Sequence, residues 1–412
     1  MAKIPRQITQ EDLKGFTPIY VVWETTMACD HACLHCGSRA ARARPEELTT
    51  EELLDVADQL IRLKTREVTL IGGEAYLRSD CAELIAHLHK GGIRVTMQTG
   101  GRGMTLDMAQ RLKDAGLAAL GVSVDGPPEV HDRVRGAKGS QAAALRTLGF
   151  AKQVGLATTS NTQVNRLSIS ALRETRDTLK AAGIRVWRLQ LTVPMGRAAD
   201  RPDWILEPYQ ILQVLDTLAE LQIEEAEEAE VKGIPPGKML DIRVGNNLGY
   251  YGPHEELLRS MPGHVSSHWV ACRAGRYTMS IESDGTVKPC PSLPTAPYTA
   301  GNVRDISLKD LWGEETGGMG AMGFTRDRPK DELWGFCKTC YYGEICMAGC
   351  NFTAHSTMGR RGNNPFCYHR AETLKLQGKR ERLVQVEKAE GKPYDFGRFE
   401  IQLEDWPAAE LD

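Results

Sequence analysis

Residues 20–191 alternate between two hydrophobic periods. Short runs that alternate or are wholly apolar predict strands at Val21–Glu24, Val68–Ile71, Val95–Gln98, Gly121–Val124, Thr158–Val164 and Val186–Leu191. Between them, apolar residues recur at helical spacing in Thr50–Leu63, Asp80–Leu88, Leu106–Ala115, Ala142–Lys152 and Ala171–Ala182. Thr49-Thr50-Glu51-Glu52 has the hydroxyl-then-carboxylate order of a helix start. Gly91, Gly116, Gly155 and Gly183 each sit just past a helix, where left-handed caps belong. Strands and helices alternating at this length predict right-handed crossovers and a parallel sheet. Six such units make an α/β fold, either a curved open sheet or an incomplete barrel, with its ligand site at the C-terminal strand ends.

Elsewhere the pattern changes. Residues 1–19 are polar and read as an N-terminal strap, ahead of the barrel at 20–200. Residues 201–268 form a connector in which Pro208–Val231 is helical, Ile234-Pro235-Pro236-Gly237 breaks the helix, and Asn247–Gly252 is turn-rich. Residues 269–370 are rich in glycine, proline and cysteine and poor in long apolar segments, so this module needs a metal or cross-link to be stable. Within it Ser283-Asp284-Gly285 reads as a hairpin turn between Thr278–Ile281 and Thr286–Lys288. Residues 371–412 read as a charged helix to about Lys388 and a polar tail.

Composition narrows the function. The 412 residues are 41% apolar and 25% charged, as in ordinary globular proteins, and the net charge of −3 gives no basic field for nucleic acid or for a membrane surface. No apolar run is long enough to span a bilayer and the N-terminus lacks a signal-peptide pattern, which places the chain in the cytoplasm. In that compartment eleven cysteines argue for metal rather than disulfides.

Three of them, Cys29, Cys33 and Cys36, have C-x3-C-x2-C spacing in a turn after the first strand. Three thiolates can hold three irons of a [4Fe–4S] cube and leave the fourth without a protein ligand. A zinc site is the alternative, but it wants four ligands, and the nearest further thiol is Cys81 in a predicted helix. With His35 just before the last thiol, the loop resembles the signature of the radical S-adenosylmethionine (SAM) enzymes. Gly72-Gly73-Glu74 at the second strand end resembles that superfamily's glycine motif, whose backbone receives the methionine amino group, although Ala75 stands where many relatives have proline. Ser123-Val124-Asp125-Gly126, followed by His131–Gly136, resembles a stretch of the peptide-modifying branch. The resemblance implies cofactor contacts from Ser123, Asp125 and Gln98, from Asn161 or Gln163, and from Leu189 or Gln190.

Seven thiols follow at Cys272, Cys290, Cys337, Cys340, Cys346, Cys350 and Cys367. They exceed one four-ligand site by three, so two centres are the economical count, with zinc-ribbon-like structural sites as the alternative. The pattern is similar to the SPASM domain, a loop-rich module with two auxiliary [4Fe–4S] clusters, and implies a partial (β/α)6 TIM-like barrel in front of it. By that resemblance Cys272, Cys290 and Cys350 hold the first cluster, one thiol short, and Cys337, Cys340, Cys346 and Cys367 hold the second. Cys81 is left over. It reads as a small apolar residue on a helix, or as the hydrogen-atom donor that a peptide epimerase would need.

The resemblance implies that a reduced cluster cleaves SAM to a 5′-deoxyadenosyl radical, which takes a hydrogen atom from an unactivated C–H bond. Two auxiliary clusters suit a net two-electron oxidation. The preferred reading is a maturase that cross-links a ribosomally made peptide through a thioether or C–C bond. Only 28 residues precede Cys29, too few for a leader-binding winged-helix domain, so the peptide binds directly or through a separate leader-binding protein. A flavodoxin- or ferredoxin-type donor would supply the electron. A seryl or cysteinyl dehydrogenase of the sulfatase-maturing type fits less well, because Pro291-Ser292 follow Cys290 where those relatives carry an aspartate. A small-molecule oxidoreductase and a non-catalytic electron carrier are the further alternatives. The carrier would need neither an open iron nor a glycine motif.

Overall fold

A computed structural model describes residues 6–12, 16–260, 267–313, 322–326 and 330–407. Seven parallel strands run in sequence order: β1 (Tyr20–Glu24), β2 (Glu67–Ile71), β3 (Arg94–Thr99), β4 (Leu117–Ser123), β5 (Ala157–Val164), β6 (Val186–Leu191) and β7 (Asp241–Val244). Helices α1 (Thr50–Arg62), α2 (Cys81–Lys90), α3 (Leu106–Asp114), α4 (Pro128–Arg135), α5 (Ser140–Gln153), α6 (Leu172–Ala181) and α7 (Ile211–Val231) form the crossovers. The fold is the expected α/β partial barrel, with one more strand than the six units predicted. β7 is a four-residue strand inside the stretch read as a connector, too short to show a period.

The strand alternation sorts side chains into two layers. Val21, Trp23, Val68, Leu70, Val95, Met97, Leu120, Val122 and Trp187 face the helices and join one continuous buried core. The other face of the sheet is polar, carrying among others Glu24, Thr69, Gln98, Asn161, Gln163 and Gln190. The local signals explain the helix ends. Thr49 caps α1 in a reciprocal box, its hydroxyl accepting from the Glu52 N–H while the Glu52 carboxylate accepts from its own N–H. Gly116, Gly155 and Gly183 take positive φ as expected, but α2 runs on to Lys90, so Gly91 has φ −73° and Gly92, at +84°, makes the left-handed turn.

The cysteine-rich region is hydrogen-bonded into the barrel. Strand β8 (Thr278–Ile281) pairs parallel with β1, and β9 (Thr286–Lys288) and β10 (Gly301–Asn302) extend the same sheet, which reaches ten strands. The end of the chain differs from the expected helix and tail. A helix over Tyr368–Leu376 gives way to an antiparallel hairpin, β11 (Lys379–Glu387) and β12 (Arg398–Asp405). The dense charges that suggested a helix are cross-strand pairs, Lys379 with Asp405 and Arg380 with Glu404. Among the described residues no helix is long and apolar enough to cross a membrane.

Candidate active site

The Cys29–Cys36 loop hangs on β1 and is held from both flanks. The Cys29 N–H donates to Ala41 O at 3.1 Å, and the Ala41 N–H donates to Met27 O at 3.0 Å. From the β2 end, the Gly73 N–H donates to Thr26 O at 2.7 Å and the Glu74 N–H to Ala28 O at 2.8 Å. A Cβ on Gly72 would lie 2.3 Å from Thr26 O, and one on Gly73 2.0 Å from Ala28 O. Only glycine lets these two backbones meet. The glycine motif therefore has a local cause beside the one its resemblance implies: it fastens the thiol loop.

The three thiols feel one another, and burial pushes Cys29 up to about 12, with Glu74, Cys33 and Cys36 adding to it. Binding a metal here displaces those protons. Glu74 is buried and accepts from the Thr99 hydroxyl and from the Gly100 N–H at 2.7 Å; burial raises its carboxyl to about 7. His35 donates from Nδ1 to Val134 O at 3.3 Å, and burial lowers it to about 4.

Helix α4, which the periodicity did not mark, supplies the positive charge. Arg135 donates from Nε to Asp125 Oδ2 at 2.7 Å and from Nη1 to Cys33 Sγ at 3.8 Å. Burial pushes Asp125 up, but Arg135, with His35 and His131, more than offsets it and holds the carboxyl at about 2. Asp125 also accepts from the Gln163 N–H at 2.9 Å, locking the ends of β4 and β5 together. A second residue missed in the sequence is His31, inside the loop itself. Its Nδ1 meets Asp30 Oδ1 at 3.0 Å, Asp30 accepts from the Tyr76 hydroxyl, and its buried Nε2 has no partner among the described residues. Ligand atoms of Cys29, Asp30, His31 and Glu74 lie within 4.8 Å of one another. Its position between two of the thiols was the only signal for His31.

Around this loop the strand ends present a polar arc. Asn161 Nδ2 donates to Gln98 Oε1, Gln163 Nε2 donates to Gln190 Oε1 at 3.2 Å, and Ser123 is in register with Asn161. Gly121 leaves the room for Gln98, since a Cβ there would sit 2.2 Å from its Oε1. Leu189 does not join the arc. The alternation of β6 turns it to the helix side with Trp187 and Leu191, and it is wholly buried in the core. Cys81 is in that core too, as the first residue of α2, and burial raises its thiol to about 12.

The other seven thiols converge on two places. Cys272 and Cys290 reinforce the raised thiol of Cys350, which burial takes to about 12. A hollow opens beside Cys272, lined also by Glu332, Met347 and Asn351. Cys337, Cys340, Cys346 and Cys367 line one hollow. Four thiols around a single hollow of this kind are a donor set that fits an iron–sulfur cube.

The comparisons agree with this geometry. Residues 23–179 match the radical SAM superfamily, and residues 272–341 match the SPASM iron–sulfur cluster-binding domain. The chain is 26% identical over 359 residues to the AdoMet-dependent heme synthase of Nitratidesulfovibrio vulgaris, covering 86% of this chain and 93% of that one. It is 28% identical over 352 residues to the mycofactocin maturase MftC of Mycolicibacterium smegmatis, covering 84% and 81%. Among solved structures, anSMEcpe with bound AdoMet and Cp18Cys peptide superposes with a TM-score of 0.65 at 18% identity, covering 86% and 94%. Streptococcus suis SuiB bound to S-adenosylmethionine superposes at 0.60 and 17% identity, covering 85% and 76%. The fold, the thiol loop on its first strand end and these matches together make the chain a radical SAM enzyme with a C-terminal SPASM domain.

Proposed function

We propose that the protein is a peptide maturase that oxidatively cross-links a ribosomally made precursor peptide through a thioether or C–C bond. The observation that carries this reading is the gathering of seven thiols into two further centres behind the open-iron loop. A substrate radical that closes a bond must give up an electron, and those centres can take it. The maturase relative MftC and the structural likeness to SuiB and anSMEcpe support a peptide as the substrate.

In this reading Cys29, Cys33 and Cys36 hold the SAM-binding cluster. Cys272, Cys290 and Cys350 hold the first auxiliary cluster, and Cys337, Cys340, Cys346 and Cys367 hold the second. When bound, the cluster on Cys29, Cys33 and Cys36 would supply, together with SAM, the radical chemistry that breaks an unactivated C–H bond. The chain's own residues orient and enclose. The backbone at Gly72, Gly73 and Glu74, with Gln98, Ser123, Asn161 and Gln190, would hold SAM, and Arg135 would neutralise charge at Cys33. Asp125 holds Arg135 in place, and His35 closes the loop against α4. A flavodoxin- or ferredoxin-type protein would deliver the electron, and the peptide would bind directly or through a separate leader-binding protein.

A second reading, a small-molecule oxidoreductase that acts in making heme, is favoured by the relatives named AdoMet-dependent heme synthase, which match over most of their length. One experiment separates the two. The anaerobically reconstituted enzyme, carrying about 12 irons if three [4Fe–4S] clusters form, is incubated with SAM and a strong reductant. The substrates are precursor peptides encoded beside the gene and, separately, an iron porphyrin. A peptide that loses two hydrogens supports the maturase. Turnover of the porphyrin alone contradicts it, and a peptide mass unchanged in H2O but raised by deuterium uptake in D2O points to epimerisation.

A further inference from the structure

Three consecutive residues in the connection of the C-terminal hairpin touch the supports of both the thiol loop and the first auxiliary centre. Tyr394 is buried; its hydroxyl donates to the Glu24 carboxylate at the end of β1, the strand that leads into the thiol loop. The other side of its ring receives the ammonium of Lys288, whose Nζ lies 3.7 Å from the ring centroid. Lys288 is wholly buried, pairs with Glu282 at 2.8 Å, donates to Leu293 O at 2.8 Å, and stands two residues before Cys290.

Asp395 reaches the far side of the thiol loop. Its Oδ1 accepts from Arg39 Nε at 2.8 Å, three residues past Cys36, and its carbonyl accepts from the Gly196 N–H at 2.7 Å. Gly196 lies against the loop backbone, since a Cβ there would be 2.4 Å from Cys36 O, and the next N–H, from Arg197, donates to Cys36 O at 3.0 Å. Phe396 turns back to the cysteine-rich module. Its ring meets His355 edge-on at 5.0 Å, and His355 belongs to the helix Asn351–Met358 that Cys350 caps.

Two further observations separate this from a tail that merely covers surface. Tyr394 and Arg39 both adopt left-handed backbone, at φ +56° and +54°, a conformation that side-chain-bearing residues hold only where their surroundings enforce it. The Asp395 carboxylate is also gripped from within its own turn by the Lys392 N–H at 3.0 Å and the Gly391 N–H, so the connection arrives preformed.

We propose that Tyr394, Asp395 and Phe396 are positioning residues that fix the separation and orientation of the thiol loop and the Cys272–Cys290–Cys350 centre, so that a disturbance at one is felt at the other. This rests on the cluster assignments of the proposed function, but the hydrogen-exchange readout below requires no turnover. In the full-length, iron-loaded protein, Phe396→Ala removes the ring contact with His355. Amide exchange in residues 29–41 is expected to speed up at least tenfold, and the spin relaxation of the reduced cluster on Cys29, Cys33 and Cys36 to change, at unaltered iron content. Phe396→Tyr, which keeps the ring, should restore both. Faster exchange confined to residues 351–358, with residues 29–41 as in wild type, overturns the proposal. If Phe396→Ala does not fold, Asp395→Asn tests the same link in reverse: exchange in residues 351–358 should rise, and no change there overturns it. Failure of SAM cleavage in the wild type would sink the proposed function while leaving this measurement interpretable.

Discussion

The loop at Cys29–Cys36 and the module around Cys337–Cys367 both gather thiols, but they stand on different foundations. The first lies on the rim of a core of large side chains, Trp23, Leu70, Met97 and Val122 among them, and is tied to it by the backbone bonds of a parallel sheet. The second has little core besides its own thiols. Among the described residues its own buried clusters are small, Tyr250, Trp269, Cys346 and Cys350 in one and Leu333, Cys337 and Ala348 in the other, while Phe366 reaches into the barrel core. Between Cys346 and Cys350, Met347 and Ala348 both take left-handed backbone, at φ +50° and +58°. The difference teaches that one site is placed by its fold, whereas the other has to help make its fold.

Removing the iron should break the comparison open with the largest effect. Chelation under anaerobic conditions is expected to release amide protection across residues 337–367 almost completely, while β1 to β6 stay protected against exchange. Equal loss in both regions would mean that the barrel also depends on metal. Next in size, Asp125→Asn leaves the Arg135 guanidinium buried without its carboxylate and should destabilise the barrel by about 3–5 kcal/mol, read by chemical denaturation of the iron-free protein. Gly73→Ala should cost about 1–3 kcal/mol through overpacking against Ala28 and weaken SAM binding by calorimetry more than it lowers stability. A variant that binds SAM normally contradicts the fastening role.

The smallest effect concerns acid. His355 is buried beside Tyr298 and Arg361, and burial, with the Arg361 charge adding, lowers it to about 4. The folded protein therefore binds fewer protons there than the unfolded chain, and the stability this gives is present above about pH 6.5, the ordinary histidine value, and is lost as pH falls toward 4. His355→Gln should flatten the acid limb of melting for the cysteine-rich module and leave that of the barrel, where His131 is lowered in the same way, unchanged.

How much of this was legible follows the same division. The barrel strands and most helices stood out because each has one apolar face repeated over many residues, and the thiols stood out by spacing alone. Helix α4 was missed because Pro128–Arg135 carries Val130 and Val134 as its only aliphatic residues, so Arg135 lay in a stretch marked by its resemblance but without a role. The two-residue period of β6 turns the Leu189 side chain into the core, so any part it plays at the site falls to its backbone. The C-terminal hairpin was hidden because its charges pair across strands, a relation that sequence spacing does not show. What the barrel displays as a period, the cysteine-rich module holds in tertiary contacts.

The central claim is that the Cys29–Cys36 loop cleaves SAM and that the seven later thiols hold separate clusters. Iron content and 5′-deoxyadenosine formation, measured together on reconstituted wild type and on a variant with Cys29, Cys33 and Cys36 all replaced by alanine, test it most directly. The account predicts that iron falls from about 12 to about 8 per chain, one [4Fe–4S] cluster lost, and that 5′-deoxyadenosine disappears. Continued SAM cleavage by that variant, or loss of all its iron, would contradict it.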